Sequence, residues 1–84
     1  MVQQSVDPFY AKYGCRLRTA RQKAGLSQVI ASELLGITQP NLSRIELGMQ
    51  AISLRNVVDM AKLYRVPIEH IVSNHSPLDL DNIE

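Results

Sequence analysis

Residues 34–48, "LLGITQPNLSRIELG", decide the fold because they contain the end of one helix and the whole of the next. Gly36 stands where the first helix ends, since glycine adopts the left-handed conformation of a helix terminus without strain. Thr38 is an N-cap for the second helix, and Gly48 closes it. Helices joined by about three residues cross at a steep angle. The stretch therefore predicts a helix-turn-helix whose second helix spans about residues 39–47.

The same capping signals predict helices on either side of this pair. Asp7 followed by Pro8 is an N-cap with a first-turn proline, and Gly25 ends the helix that begins there. Ser27 caps the next helix and Ser53 the one after the pair. A short fifth helix follows in "PIEHIVS", and no strand pattern competes over the helical body. We predict an all-α domain of five helices.

Helical spacing also predicts which side chains form the core. Arg16, Arg18 and Lys23 fall outside the apolar stripe of the first helix, so we expect them at the surface. The predicted core comprises Tyr13, Leu17, Ala20, Ala24, Ala31, Leu35, Leu42, Ile45, Leu54, Val57, Val58, Ala61 and Tyr64, with Ser32 at its margin. The short fifth helix carries Ile68, Ile71 and Val72.

The chain divides into a short polar segment at 1–7, a helical body at 8–73 and an acidic tail at 74–84. Two conformations fit the tail. Ser76-Pro77-Leu78-Asp79 matches a capping box for one more helical turn, whereas Leu78 and Leu80 alternate as in an edge strand.

Composition excludes several classes of protein. The chain has 84 residues, enough for one domain, and one cysteine, which excludes an internal disulfide. No apolar run approaches a membrane span and no signal peptide opens the chain, so we expect a soluble cytoplasmic protein. The two histidines match no metal-ligand spacing and no glycine-rich phosphate loop is present. We expect neither an enzyme nor a bound cofactor or metal.

Charge is unevenly distributed along the chain. The net charge is only +1, but residues 11–73 hold nine basic against four acidic residues, which leaves +5 there. Asp79, Asp81 and Glu84 make the tail acidic. A mildly basic body favours contact with DNA, although a solvated surface has the same composition.

The predicted outer face of the helix over 39–47 carries Gln39, Ser43 and Arg44, with Asn41 at its margin. A B-DNA major groove is roughly 12 Å wide and admits one helix. Glutamine and asparagine pair with adenine there, and arginine with guanine. The face therefore indicates major-groove recognition, although any exposed helix of a soluble protein is also polar.

Three stretches, "YGCRLRTARQKAGLSQ", "LLGITQPNLSRIELG" and "SLRNVVDMAKLYRVPIEHIV", together resemble the Xre, or lambda-repressor-like, helix-turn-helix family of Cro and phage-repressor type. The resemblance covers residues 13–72. It implies a five-helix domain that binds double-stranded operator DNA, usually as a homodimer. The matching positions are Gly14, Leu17, Arg21, Gly25, Leu26, Ser27, Gln28, Gly36, Ile37, Thr38, Gln39, Ser43, Arg44, Ile45, Glu46 and Gly48.

The resemblance implies which residues read bases. Gln39 is similar to the main base-reading glutamine of the family, and Arg44 lies one turn further along the same face. Ser43 and Thr38 are further candidates for contact with a base or a phosphate.

Other positions have supporting roles in the family. Gln28 resembles a phosphate clamp whose side chain also buttresses Gln39, and Asn41 is expected on a phosphate. Arg21 and Glu46 match positions that form an ion pair between the first and third helices in some members.

The chain departs from the family at two places. Val29, Ile30 and Leu34 stand where exposed polar residues are usual, so the second helix either presents an apolar strip to a partner or is rolled to bury part of it. We expect the second arrangement. Arg65 and Pro67 replace a favoured glycine and a favoured N-cap between the fourth and fifth helices.

The leading functional hypothesis is a sequence-specific transcriptional repressor that binds a palindromic operator as a dimer. The candidate dimer residues are Ile71, Val72, Leu78, Leu80 and Ile83, and packing within one chain is an equal alternative for them. The other hypothesis is an antitoxin or adaptor-type interaction module of the same fold, with a toxin or a regulatory peptide as its partner.

Overall fold

A computed structural model describes residues 6–74 and 76–78 and contains five helices. They are α1 (Pro8–Lys23), α2 (Gln28–Leu35), α3 (Gln39–Leu47), α4 (Leu54–Tyr64) and α5 (Glu69–Val72). No strand occurs in these ranges, which confirms the predicted all-α class. None of the described helices combines the length and the apolar character that crossing a membrane requires.

Side-chain caps begin the first four helices where the sequence predicts them. Asp7, Ser27, Thr38 and Ser53 each accept a hydrogen bond from a backbone N–H of the first turn. Gly36 and Gly48 end α2 and α3 in the left-handed conformation, with φ of 72° and 75°. The helix-turn-helix therefore has the predicted bounds.

Two glycines allow α1 and α3 to approach closely. A Cβ atom on Gly14 would collide with the backbone carbonyls of Ile45 and Glu46, the latter oxygen at 2.7 Å. At the other end of the contact, a Cβ on Gly48 would lie 2.5 Å from the Cα of Ala11. Larger residues would separate the helices, so these glycines help to fix the orientation of α3 on the body.

The core contains most of the predicted residues, but not all of them. Leu17, Ala31, Leu42, Ile45 and Ile71 are completely buried. Leu54, in contrast, is 74% exposed at the first position of α4. Ala24 is exposed as well, beyond the last residue of α1. Met60, which was not predicted, takes a place in the core.

Arg16 is completely buried, and its predicted surface position is therefore wrong. Its Nη1 donates hydrogen bonds to the carbonyl oxygens of Ile71 at 2.7 Å and Ser73 at 2.6 Å. These carbonyls lie at the C-terminal end of α5, where a helix lacks intrahelical donors. The N-terminus of α5 has no side-chain cap. Arg16 therefore holds this short helix against α1.

Two of the candidate dimer residues belong to the core of a single chain, which corrects that prediction. Ile71 is completely buried and Leu78 is almost so, because both pack on the same apolar cluster as Leu17. Val72 remains exposed on α5. Leu80 and Ile83 lie outside the described residues.

The described part of the tail favours the helical alternative. Pro77 and Leu78 lie in a helical turn. Ser76 caps it, since its Oγ accepts a hydrogen bond from the Leu78 N–H at 3.1 Å. The same hydroxyl donates to the carbonyl of His70, which ties the turn to α5.

Candidate nucleic-acid interface

α3 presents a polar face away from the core. Leu42 and Ile45 point into the core and are completely buried. Gln39 on the opposite side is exposed, whereas Ser43 and Arg44 are half-buried. The helix therefore presents an amide, a hydroxyl and a guanidinium along one exposed surface, as the sequence predicts.

A continuous hydrogen-bonded chain runs from α1 to the first residue of α3. Arg21 Nε lies 2.7 Å from Glu46 Oε2, and Arg21 Nη2 lies 3.1 Å from Glu46 Oε1. Gln28 Nε2 donates to Glu46 Oε1 at 3.0 Å, and Gln39 Nε2 donates to Gln28 Oε1 at 2.8 Å. We call these four residues the Glu46 network. It includes the ion pair and the glutamine buttress that the family resemblance implies.

Chemistry fixes the direction of every bond in the Glu46 network. An ionised carboxylate only accepts hydrogen bonds, so Gln28 must turn its NH₂ group toward Glu46. Its carbonyl oxygen then faces Gln39, which must donate. Gln39 is left with its own carbonyl oxygen and one N–H, the acceptor and donor that match the N6 and N7 positions of adenine.

The ion pair at the base of this network is shielded from water. The side chains of Arg21 and Glu46 are 9% and 1% exposed, and their geometry is bidentate. Arg21 Nη1 also donates to the carbonyl oxygen of Leu26 at 2.8 Å, in the turn between α1 and α2. One guanidinium thus joins α1 to α3 and to the turn before α2. Removing one partner of a buried pair is more costly than removing one partner of a surface pair.

Tyr64 lies in the electrostatic field of this pair. The pKa of its phenol is raised to about 12, mainly by burial and also by the Glu46 carboxylate, while the Arg21 guanidinium acts in the opposite direction. The Tyr64 hydroxyl is buried without a hydrogen-bond partner among the described residues. Tyr64 is therefore a neutral phenol at any pH suited to DNA binding.

A second set of hydrogen bonds involves a residue that the sequence did not single out. Arg44 Nε donates to Gln50 Oε1 at 3.0 Å, and Gln50 Nε2 donates to Asn41 Oδ1 at 2.5 Å. We call these three residues the Gln50 network. Gln50 belongs to the loop after α3, and no cap, stripe or motif distinguishes it in the sequence.

The remaining candidate DNA-contacting residues lie close to the exposed face of α3. Thr38 caps α3, its Oγ1 accepting from the Asn41 N–H at 3.2 Å. Ser43 lines a concave surface together with Gln28 and Arg18. Arg18 is exposed as predicted, and it adds a cation beside α3 that the sequence did not connect with it.

Two apolar surfaces are exposed elsewhere. Val29, Ile30 and Leu34 on α2 are 54%, 46% and 62% exposed, so the expected rolling of this helix is wrong. Its inward positions are taken by Ala31 and Ser32 instead.

The second apolar surface is a groove between the N-terminal parts of α1 and α4 and the end of α5. Phe9, Leu54 and Val72 line it and are all exposed. None of its lining residues belongs to α2 or α3.

In the described part of the chain, no three histidine, cysteine, aspartate or glutamate side chains are arranged to hold a metal ion.

Comparison with known proteins gives two findings. A family model described as "Helix-turn-helix" matches residues 17–71, more than half of the chain. The crystal structure of the restriction-modification controller protein C.AhdI from Aeromonas hydrophila is similar to this chain, with 28% sequence identity and a TM-score of 0.69. The match covers 75% of this chain and 96% of that one.

Proposed function

Because this chain belongs to the helix-turn-helix family of DNA-binding transcriptional regulators, of the lambda-repressor-like type, we propose that it is a repressor of a palindromic operator. It binds this operator as a homodimer, with α3 of each subunit in the major groove. The observation that carries the proposal is the Glu46 network. It holds Gln39 at the start of α3 with one acceptor and one donor available to a base.

Base reading is assigned to the exposed face of α3. Gln39 reads adenine through its carbonyl oxygen and remaining N–H, and Arg44 reads guanine. Ser43 and Thr38 contribute hydroxyls to a neighbouring base or phosphate. A protein of this size contacts only a few base pairs, so specificity requires a second copy one DNA turn away.

Phosphate contacts fix the register of the helix in the groove. Gln28 uses one amide hydrogen on Glu46 and keeps the other for a phosphate oxygen. Asn41 supplies its NH₂ group to a second phosphate. Arg18, exposed beside this face, adds an attraction that depends on salt.

The dimer surface is the apolar groove of Phe9, Leu54 and Val72, since Ile71 and Leu78 are committed to the core. A contiguous exposed apolar patch is typical of a surface that another protein molecule covers. Leu54→Lys should abolish the dimer in sedimentation without unfolding the protein, because Leu54 is 74% exposed in the single chain. Leu47→Lys is the matched control, since Leu47 is exposed but lies outside the groove.

Selection of bound sequences from a random duplex library tests the function as a whole. We expect a palindrome whose half-sites are about ten base pairs apart. If folded protein enriches no sequence, base reading by α3 is wrong.

A second function rests on the exposed strip of Val29, Ile30 and Leu34. An apolar strip on α2 suits a protein partner, such as the toxin or regulatory peptide of an antitoxin-type module. Ile30→Glu should then release a co-purified partner while leaving DNA binding intact. Retention of the partner by this variant would exclude the strip as its binding site.

A further inference from the structure

We propose that Gln50 is a specificity-determining residue, which positions Arg44 to read guanine and turns the NH₂ group of Asn41 toward a phosphate. The proposal rests on the proposed function, because it assumes that α3 enters a major groove. It adds a residue outside α3 to the machinery that distinguishes one base from another.

Elementary hydrogen-bond chemistry orients the whole Gln50 network. A guanidinium has five donors and no acceptor, so Gln50 must turn its carbonyl oxygen toward Arg44. The NH₂ group of Gln50 is then directed to Asn41, whose carbonyl oxygen accepts it at 2.5 Å. Asn41 is left with its own NH₂ group. The opposite orientation of either amide would place two donors or two acceptors face to face.

The loop that carries Gln50 is itself fixed to α3. Gly48 adopts φ of 75°, and the Met49 N–H donates to the carbonyl oxygen of Arg44 at 2.9 Å. The backbone next to Gln50 is therefore bonded to the backbone of the residue that Gln50 positions. Gln50, Arg44 and Asn41 are all half-buried, which restricts their side chains further.

For Arg44, this arrangement engages Nε and leaves Nη1 and Nη2 without a protein hydrogen bond in the described ranges. Guanine presents two acceptors in the major groove, O6 and N7, that a guanidinium binds through two N–H groups. Holding the guanidinium plane before DNA arrives also reduces the side-chain entropy lost on binding. An unheld arginine would reach phosphates equally well, and these carry no sequence information.

For Asn41, the network turns the carbonyl oxygen toward the Gln50 donor and leaves the two N–H groups for a ligand. Adenine requires one donor and one acceptor from an amide, whereas a phosphate oxygen requires donors alone. Asn41 therefore suits a phosphate and not adenine. Gln39 differs because the Glu46 network uses one of its N–H groups and not its carbonyl oxygen. Gln39 therefore keeps both an acceptor and a donor for a base.

The test replaces Gln50 with methionine, which has a similar length and no amide. Affinity is measured for the selected operator and for operators substituted at each base pair. We expect Gln50→Met to lower the preference for guanine at the Arg44 position roughly threefold to tenfold. The preference at the Gln39 position should change less than twofold. The affinity for non-specific duplex should fall as well, because Gln50→Met also removes the donor that orients Asn41. Gln22→Met, on the exposed face of α1, is the matched control and should change none of these.

Two further variants separate the roles of Gln50. In an Arg44→Ala background, Gln50→Met should have no further effect on base preference. Gln50→Glu keeps an acceptor for Arg44 but no donor for Asn41, so guanine preference should remain while the affinity for every duplex falls. The proposal is overturned if Gln50→Met lowers the affinity for all duplexes by the same factor. It is also overturned if Gln50→Met lowers the guanine preference of a protein that already carries Arg44→Ala.

A measurement on the free protein separates this proposal from the function on which it rests. The Arg44 Nε–H resonance should be protected from exchange with water in the wild type, and it should lose that protection in Gln50→Met. Unchanged exchange would overturn the positioning of Arg44 even if the protein selects an operator. Failure of the wild type to select any sequence would instead overturn the proposed function.

Discussion

Two buried arginines on α1 bind different kinds of partner in different parts of the molecule. Arg21 forms a bidentate pair with the carboxylate of Glu46 on α3, a contact between two side chains. Arg16 donates to the backbone carbonyls of Ile71 and Ser73, at the end of α5. The first arginine joins α1 to the proposed DNA-reading helix, and the second joins it to α5.

Around Arg21, the contacts that stabilise the fold also position a residue proposed to read DNA. Around Arg16, they stabilise the fold only. Glu46 accepts from Gln28 as well as from Arg21, so the buried pair continues into the exposed amide of Gln39. Arg16 instead donates to two backbone carbonyls at the end of α5, away from the exposed face of α3. Changes at Arg21 should therefore alter both folding and DNA binding, whereas changes at Arg16 should alter folding alone.

Arg21→Ala should have the largest effect on stability. It leaves the Glu46 carboxylate buried without its cation, a change that costs about 3–5 kcal/mol in the free energy of unfolding. Urea denaturation measures the loss. The control is Arg55→Ala, which removes the exposed pair with Asp59 at 3.1 Å and should cost under about 0.5 kcal/mol. Equal losses in the two variants would contradict the role assigned to the buried pair.

Arg16→Met should destabilise the protein somewhat less, by about 2–4 kcal/mol, because two carbonyls lose their donor while the apolar contacts of the side chain largely remain. Arg18→Met is its matched control, since Arg18 is exposed on the same helix. Hydrogen exchange should show faster opening of α5 than of α3 in Arg16→Met. If the amides of all helices lost protection from exchange equally, Arg16 would not stabilise α5 independently of the rest of the fold.

Tyr64 should make the protein less stable in alkali. Its folded pKa of about 12 exceeds the ordinary value of 10, so the unfolded chain releases the proton first as pH rises. Stability from this group is complete below pH 10 and falls as pH approaches 12, by about 1 kcal/mol between pH 9 and 11. Tyr64→Phe should lack this part of the decline. An identical pH dependence of unfolding in the wild type and in Tyr64→Phe would show that ionisation of Tyr64 does not contribute to the loss of stability in alkali.

Arg65→Gly should have the smallest effect, and it should be stabilising. Arg65 ends α4 with φ of 60°, the only positive value among the described residues other than glycine. Glycine removes the strain of that conformation but increases the entropy of the unfolded chain, so the net gain is about 0.5–1 kcal/mol. Thermal denaturation measures it. A loss of stability would mean that the Arg65 side chain stabilises the junction.

Local signals in the sequence were sufficient for the helix bounds. Caps at Asp7, Ser27, Thr38 and Ser53 act within three residues, so each can be recognised without knowledge of the fold. The outward face of α3 followed from the same helical spacing that placed Leu42 and Ile45 in the core.

Contacts between residues far apart in the sequence could not be predicted from such local signals. Arg16 and Ile71 are 55 positions apart, and nothing near Arg16 in the sequence indicates a buried guanidinium. Gln50 acquires its role only because the turn after α3 returns it to Arg44. The Arg21–Glu46 pair was expected from family resemblance, since spacing along the chain could not reveal it.

The most direct test of the central claim, that the exposed face of α3 reads bases, is the affinity of Arg44→Ala for the selected operator and for non-specific duplex DNA at one salt concentration. The claim predicts a loss of about 1–3 kcal/mol on the operator and almost none on the non-specific duplex. Equal losses on the two DNAs would mean that Arg44 contacts only phosphates, and would contradict base reading by this face.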